Sequence, residues 1–68
     1  MFKCGDVVTY EGQHYVVDVL PPKAAMKLPD GTWTAAYIYM NITRQFDKPD
    51  YFIREAADFE AKFKKVTS

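Results

Sequence analysis

The sequence is short of the groups that most chemistry needs. It has one cysteine, Cys4, and one histidine, His14, in 68 residues. A lone cysteine excludes an internal disulfide, and with a lone histidine it excludes the paired-ligand zinc patterns. The carboxylates are not clustered, so no metal site is expected. There is no net charge, with nine basic and nine acidic side chains. Phosphate backbones attract a positive field, so a dominant nucleic-acid role is disfavoured. No apolar run approaches the ~20 residues of a membrane span. The start, Met1-Phe2-Lys3-Cys4-Gly5, lacks the apolar stretch of a signal peptide. A free thiol without a signal predicts a cytoplasmic setting. There is no nucleophile–base pair, carboxylate dyad or glycine-rich phosphate loop. An enzyme is therefore not expected, and neither is a cofactor.

What the chain does have is rings: one Trp, five Tyr and five Phe. A chain this short is one domain, residues 1–68, whose core supplies only about 3–5 kcal/mol. Aromatic side chains bury roughly 150–250 Å² each, which suits a small dense core.

The stretch "GDVVTYEGQHYVVDV", residues 5 to 19, reads as a β-hairpin. Val7 to Tyr10 are strand formers, and Glu11-Gly12-Gln13 is the turn. Period two places Tyr15, Val17 and Val19 on one face, with Val8 and Tyr10, as the core side. His14, Val16, Asp18 and Leu20 share the other. Pro21-Pro22 ends the second strand, because neither proline can donate to a ladder. Residues 23–28, "KAAMKL", fit a short strand or a loop, and Pro29-Asp30-Gly31 is a turn. From Thr32 to about Ile42 runs the longest strand. One of its faces carries Ala36, Ile38, Met40 and Ile42, which predicts the core. The other carries Trp33, Ala35, Tyr37, Tyr39 and Asn41. "TRQFDKPD" is a polar loop and "YFIR" a short last strand. From Glu55 to about Val66 the period becomes helical, with Ala56, Phe59, Phe63 and Val66 in one stripe. The pattern predicts a mainly β fold: a small antiparallel barrel of four to five strands closed by a C-terminal helix.

The residues that carry this hairpin resemble the opening of SH3-like small barrels, where a glycine–acid pair precedes a strand and a "YxGxxY" turn. The chain is also similar to a family of short bacterial proteins of unknown function. The matching stretches are Tyr10-Glu11-Gly12-Gln13-His14-Tyr15, then Tyr37-Ile38-Tyr39, then Phe52-Ile53-Arg54 with Phe59. The histidine and glutamate that the family places between its second and third strands have no counterpart in "PPKAAMKLPDG". The resemblance implies a small barrel and no characterised activity. A short Met-initiated chain of this style also suits a bacteriophage product.

Three features are candidates by their chemistry. His14 would need an orienting carboxylate, and Asp18, four residues on, is about 13 Å away along a strand. Cys4 has only Lys3 beside it, thin support for an activated thiol. Trp33, Tyr37 and Tyr39, with Asn41, Arg44 and Arg54, form the expected partner-binding set. A row of rings can hold a protein partner or stack bases, and guanidinium groups add planar donors. The first reading is thus a non-enzymatic protein-interaction module, in its specific form a phage-encoded inhibitor of a host or defence protein. The alternatives are a weak nucleic-acid or nucleotide binder, using Arg44, Arg54 and Lys62, Lys64 and Lys65 for phosphate, and a structural homodimer that buries the rings.

Overall fold

The computed structural model describes residues 2–42 and 50–66. Six strands and one helix follow in the order β1 (Val7–Tyr10), β2 (Gln13–Val19), β3 (Ala25–Lys27), β4 (Trp33–Asn41), β5 (Tyr51–Glu55), α1 (Ala56–Lys62) and β6 (Lys64–Lys65). All pairings are antiparallel. The fold is the mainly β class with a short helix near the C-terminal end that the periodicities predict.

The β1–β2 hairpin is closed by two residues. Tyr10 pairs with Gln13, and the intervening Glu11 and Gly12 have φ of 52° and 79°. Positive φ at both central positions is the mirror-image turn that matches strand twist. Glycine takes it without cost, whereas glutamate must hold a left-handed conformation that favours asparagine. Glu11→Asn is therefore expected to stabilise the fold by roughly 0.5–1 kcal/mol. A higher midpoint in thermal unfolding checks this; an unchanged or lower one speaks against the turn assignment.

Strand β4 organises the rest. The Ile42 N–H bonds the His14 carbonyl and the Ala36 N–H bonds the Ala24 carbonyl, whereas the Asn41 N–H points to the Asp50 carbonyl. So β2 and β3 follow each other along one edge of β4, and β5 takes the other. Residues 23–28 therefore do contain a strand, Ala25–Lys27, pairing with Trp33–Ala35. The turn between them is held by Asp30, whose carboxylate accepts from the Thr32 N–H at 3.0 Å and its hydroxyl at 2.7 Å. Those two bonds draw the Asp30 carboxyl below its ordinary range. A one-residue bulge in β2 sets Val17 and Val19 against neighbouring residues of β4. The extra residue bends the strand and increases its twist.

The helix is shorter than the predicted span of 55 to 66. It ends at Lys62, and Phe63 has φ −91° and ψ 142°. Lys64 and Lys65 instead pair with Thr9 and Val8 on the open edge of β1. Hydrogen bonds to that edge outweigh one more helical turn at an exposed, lysine-rich end. The helix thereby links β5 on one side of the sheet to β6 on the other, closing the curl by side-chain packing.

The core consists of Val8, Val17, Tyr37, Tyr39, Phe59 and Phe63, with Phe2, Tyr10, Tyr15, Leu20 and Ala56 packed around it. Val8, Tyr10, Tyr15 and Val17 of the expected hairpin face do turn to the core, but beyond the bulge Val19 pairs with Ile38 and lies outside it, while Leu20, expected on the opposite face, packs against the core. The faces of β4 are the reverse of the expected arrangement. Tyr37, Tyr39 and Asn41 are buried, while Ile38, Met40 and Ile42 are only half-buried. Only Ala36 of the aliphatic row is buried. The cause lies outside β4. Register sets Tyr39 beside Val17 and Asn41 beside Tyr15, so the aromatic row shares a side with the hairpin's apolar face. Phe59 and Phe63 then dock on that side. Phe59 stacks on Tyr37 at 4.5 Å and on Phe63 at 4.1 Å.

Candidate functional site: a ring-lined cleft

Buried tyrosines need somewhere for their hydroxyls, and both find a partner at the margin of the core. The Tyr37 hydroxyl donates to Glu60 Oε2 at 2.6 Å. Burial first, and that bond second, push its pKa up to about 12. The Tyr39 hydroxyl accepts from Arg54 Nε at 3.2 Å. Asn41 donates through Nδ2 to Gln13 Oε1. The polar ends that suggested an exposed face are thus satisfied within the fold.

Of the expected partner-binding residues, Tyr37, Tyr39 and Asn41 are therefore not a free surface. Trp33 is exposed, at 68 %, on the β3–β4 hairpin. Arg54 is half-buried on β5. Arg44 lies outside the described residues. The structure brings Arg54 to the Tyr39 hydroxyl but leaves Trp33 at the far end of β4, four residues before Tyr37.

The position of Arg54 creates a concave site. Its guanidinium lies 5.4 Å from the Tyr10 ring centroid and 5.3 Å from that of Phe63. Nη1 donates to Asp58 Oδ2 at 2.7 Å, and Lys62 Nζ reaches the same carboxylate at 3.0 Å. The bonds to Tyr39 and then Asp58 raise the guanidinium pKa, so it is charged throughout. Arg54, followed by Lys62, holds the Asp58 carboxyl below the ordinary range. Around this ladder is a cleft of about 220 Å³ lined by Tyr10, Glu11, Tyr15, Tyr39, Phe52, Arg54 and Phe63. Most of its rings are fixed by one another, Tyr10 on Phe63 at 4.8 Å and Tyr15 on Tyr39 at 5.3 Å. Phe52 stacks on Tyr39 at 5.7 Å yet remains 42 % exposed. It is the most exposed ring of the cleft.

Phe52 was not among the expected site residues. The alternation of "YFIR" does place Phe52 and Arg54 on one face, and register sets them beside Tyr39 and Tyr37. That signal becomes readable once the aromatic face of β4 is known to point inward. The cleft can receive an apolar or aromatic group against its rings. Its guanidinium is already engaged by Asp58, and Glu11 adds a second carboxylate.

The remaining candidates are placed plainly. His14 is exposed on the outer side of β2. Cys4 is exposed, and its Sγ donates to the Asp18 carbonyl at 3.2 Å. It lines a larger, apolar depression of about 350 Å³ with Asp18, Val19, Leu20, Pro21, Pro22 and Lys23. Among the described residues no group of three His, Cys, Asp or Glu side chains could hold a metal ion. Among the described residues no helix is long and apolar enough to cross a membrane. No family model matches the chain, and neither a curated protein nor a solved structure matches it.

Proposed function

We propose that the protein is a non-enzymatic protein-interaction module on an SH3-like small barrel, taking a partner's apolar or aromatic side chain into the cleft beside Phe52. The observation that carries this reading is an exposed ring, Phe52, in a concavity whose other rings pack on one another. Such a site loses little side-chain entropy on binding and resembles the pre-formed centre of an interaction hot spot. The specific form of the proposal is a phage-encoded inhibitor that occupies the surface of a host or defence protein in the cytoplasm. Small size, zero net charge and the aromatic cleft support it. A nucleotide or nucleic acid is the less favoured ligand, because Asp58 already engages both Arg54 and Lys62 and Glu11 adds a second carboxylate, which leaves no net positive charge at the cleft. A balanced cluster offers a phosphate no positive field.

The test is capture from a bacterial lysate with wild type, Phe52→Ala and Trp33→Ala, read by mass spectrometry. Phe52→Ala is expected to lose a partner that survives a high-salt wash, with its circular dichroism unchanged. Trp33→Ala, altered far from the cleft, should retain it. If Phe52→Ala keeps the same partner, the cleft is not the site. Retention that collapses with salt and depends on nucleic acid would replace the protein reading with the phosphate one.

A further inference from the structure

The free N–H and C=O groups of a sheet edge are a template for another strand, and folds blunt such edges with short strands, lysine or proline. Here β3 is three residues long and ends on Lys27, and β6 is Lys64 and Lys65 alone. The edge at β5 has no such protection. It runs five residues, Tyr51–Glu55, without lysine or proline, and among the described residues it pairs only with β4. Successive strand residues point to opposite faces, yet Tyr51, Phe52 and Ile53 are all exposed. Neither face of the strand is fully covered there.

The ladder shows which backbone groups are free. The Asn41 N–H donates to the Asp50 carbonyl, so these two form a hydrogen-bonded pair. Antiparallel alternation makes Tyr39–Phe52 and Tyr37–Arg54 the next such pairs. The Ala36 and Ile42 N–H groups point the other way, to Ala24 and His14, as that parity requires. Tyr51 and Ile53 therefore hold their N–H and C=O groups away from β4, on the free edge. Phe52 and Arg54, which alternate with them, line the cleft.

We infer that the partner binds as an extended peptide segment, adding a strand to β5 and placing an apolar side chain in the cleft. This partner class rests on the binding function proposed above and names the form the partner takes. Residues of the added strand opposite Phe52 and Arg54 point inward to the rings. Those opposite Tyr51 and Ile53 point outward, beside two apolar side chains. Main-chain bonds supply affinity and the cleft selects the side chain. The occupant is a segment rather than a second copy. The cleft's other wall is Tyr10 and Glu11, and the Arg54 guanidinium lies 5.4 Å from the Tyr10 ring. A second β5 would bring its own β4 and α1 against that wall, whereas an extended segment has nothing behind it.

Selection from a displayed library of short random peptides, then fluorescence anisotropy with one selected peptide, tests it. Methylating the peptide's backbone nitrogens one at a time should weaken binding about 10-fold or more at every second position and spare those between. Ile53→Pro removes a free-edge N–H without touching the β4 ladder, a change that an edge strand tolerates. It should abolish binding with circular dichroism unchanged, and Phe52→Ala should weaken binding by a similar factor to methylation. Loss in Phe52→Ala but not in a folded Ile53→Pro leaves the cleft reading standing and overturns strand addition. Loss in Ile53→Pro but not in Phe52→Ala supports the added strand and overturns the cleft reading instead. If Ile53→Pro unfolds, the methylation pattern decides, and a pattern without period two overturns the inference. So does a library that yields no binder, or a wild type that associates with itself through this edge and loses that association in Ile53→Pro.

Discussion

Replacing Phe59 by alanine is expected to unfold the protein at 25 °C. Phe59 is fully buried and lies between Tyr37 and Phe63, with Phe2 edge-on at 5.3 Å and Tyr39 at 5.1 Å. Truncating such a ring costs about 3–5 kcal/mol, transfer and cavity together. A core from a chain this small supplies about the same amount. The loss also propagates, because Phe59 is what fixes α1 to the sheet, and α1 carries the chain to β6. Loss of near-ultraviolet dichroism and of the denaturant transition would register the effect. Ile53→Ala is the matched control. That side chain is 45 % exposed, and its truncation should change stability by about 0.5 kcal/mol or less in the monomer. A folded Phe59→Ala with an unfolded Ile53→Ala would mean that the core lies on the other face of the sheet.

Arg54→Ala is expected to be the most damaging change at a polar residue, at about 2–3 kcal/mol. The buried Tyr39 hydroxyl would lose its donor, and the rings of Tyr10 and Phe63 would lose the guanidinium above them. The link from β5 to Asp58 at the start of α1 would also be lost. Arg54→Lys should recover only part of the loss, because an ammonium cannot serve Tyr39 and Asp58 with one planar fork. Urea unfolding of the three proteins measures this directly. Equal stability of Arg54→Lys and wild type would show that charge alone suffices. The Arg54–Asp58 contribution also has a pH sign. The Asp58 carboxyl is held below its ordinary value, so the pair's stabilisation is present above the unfolded value of 3.8 and is lost as pH falls through the folded one.

These two residues show where sequence and structure part. Phe59 is readable as core from helical spacing in the stripe of Ala56, Phe59, Phe63 and Val66, although Val66 lies beyond the helix and is exposed. Arg54 was readable only as a donor; its three ring and hydroxyl partners come from β1, β4 and the segment after α1. Tyr37 and Tyr39 lie on the opposite side from the one their alternation suggests, for a related reason. Alternation shows that they share a face, but on a strand with apolar residues in both rows it does not show which face is covered. The aliphatic row seemed the better core because it lacks polar atoms. The fold buries the larger rings instead and supplies Glu60 and Arg54 for their hydroxyls.

The local order of the chain was determined by the sequence alone. The Glu11-Gly12 turn, the alternation of Val8, Tyr10, Tyr15 and Val17, the proline stop after β2 and the helical stripe all act over a few residues. Backbone geometry there leaves few choices. The tertiary structure decided what depends on distant partners. It chose the inner face of β4, ended the helix at Lys62 so that β6 could pair with β1, and brought Phe52 and Arg54 to one cleft. Each of these is set by which segment fills the space or completes the hydrogen bonds of another. In a chain with 49 % hydrophobic residues and apolar side chains in both rows of its longest strand, composition leaves that choice open.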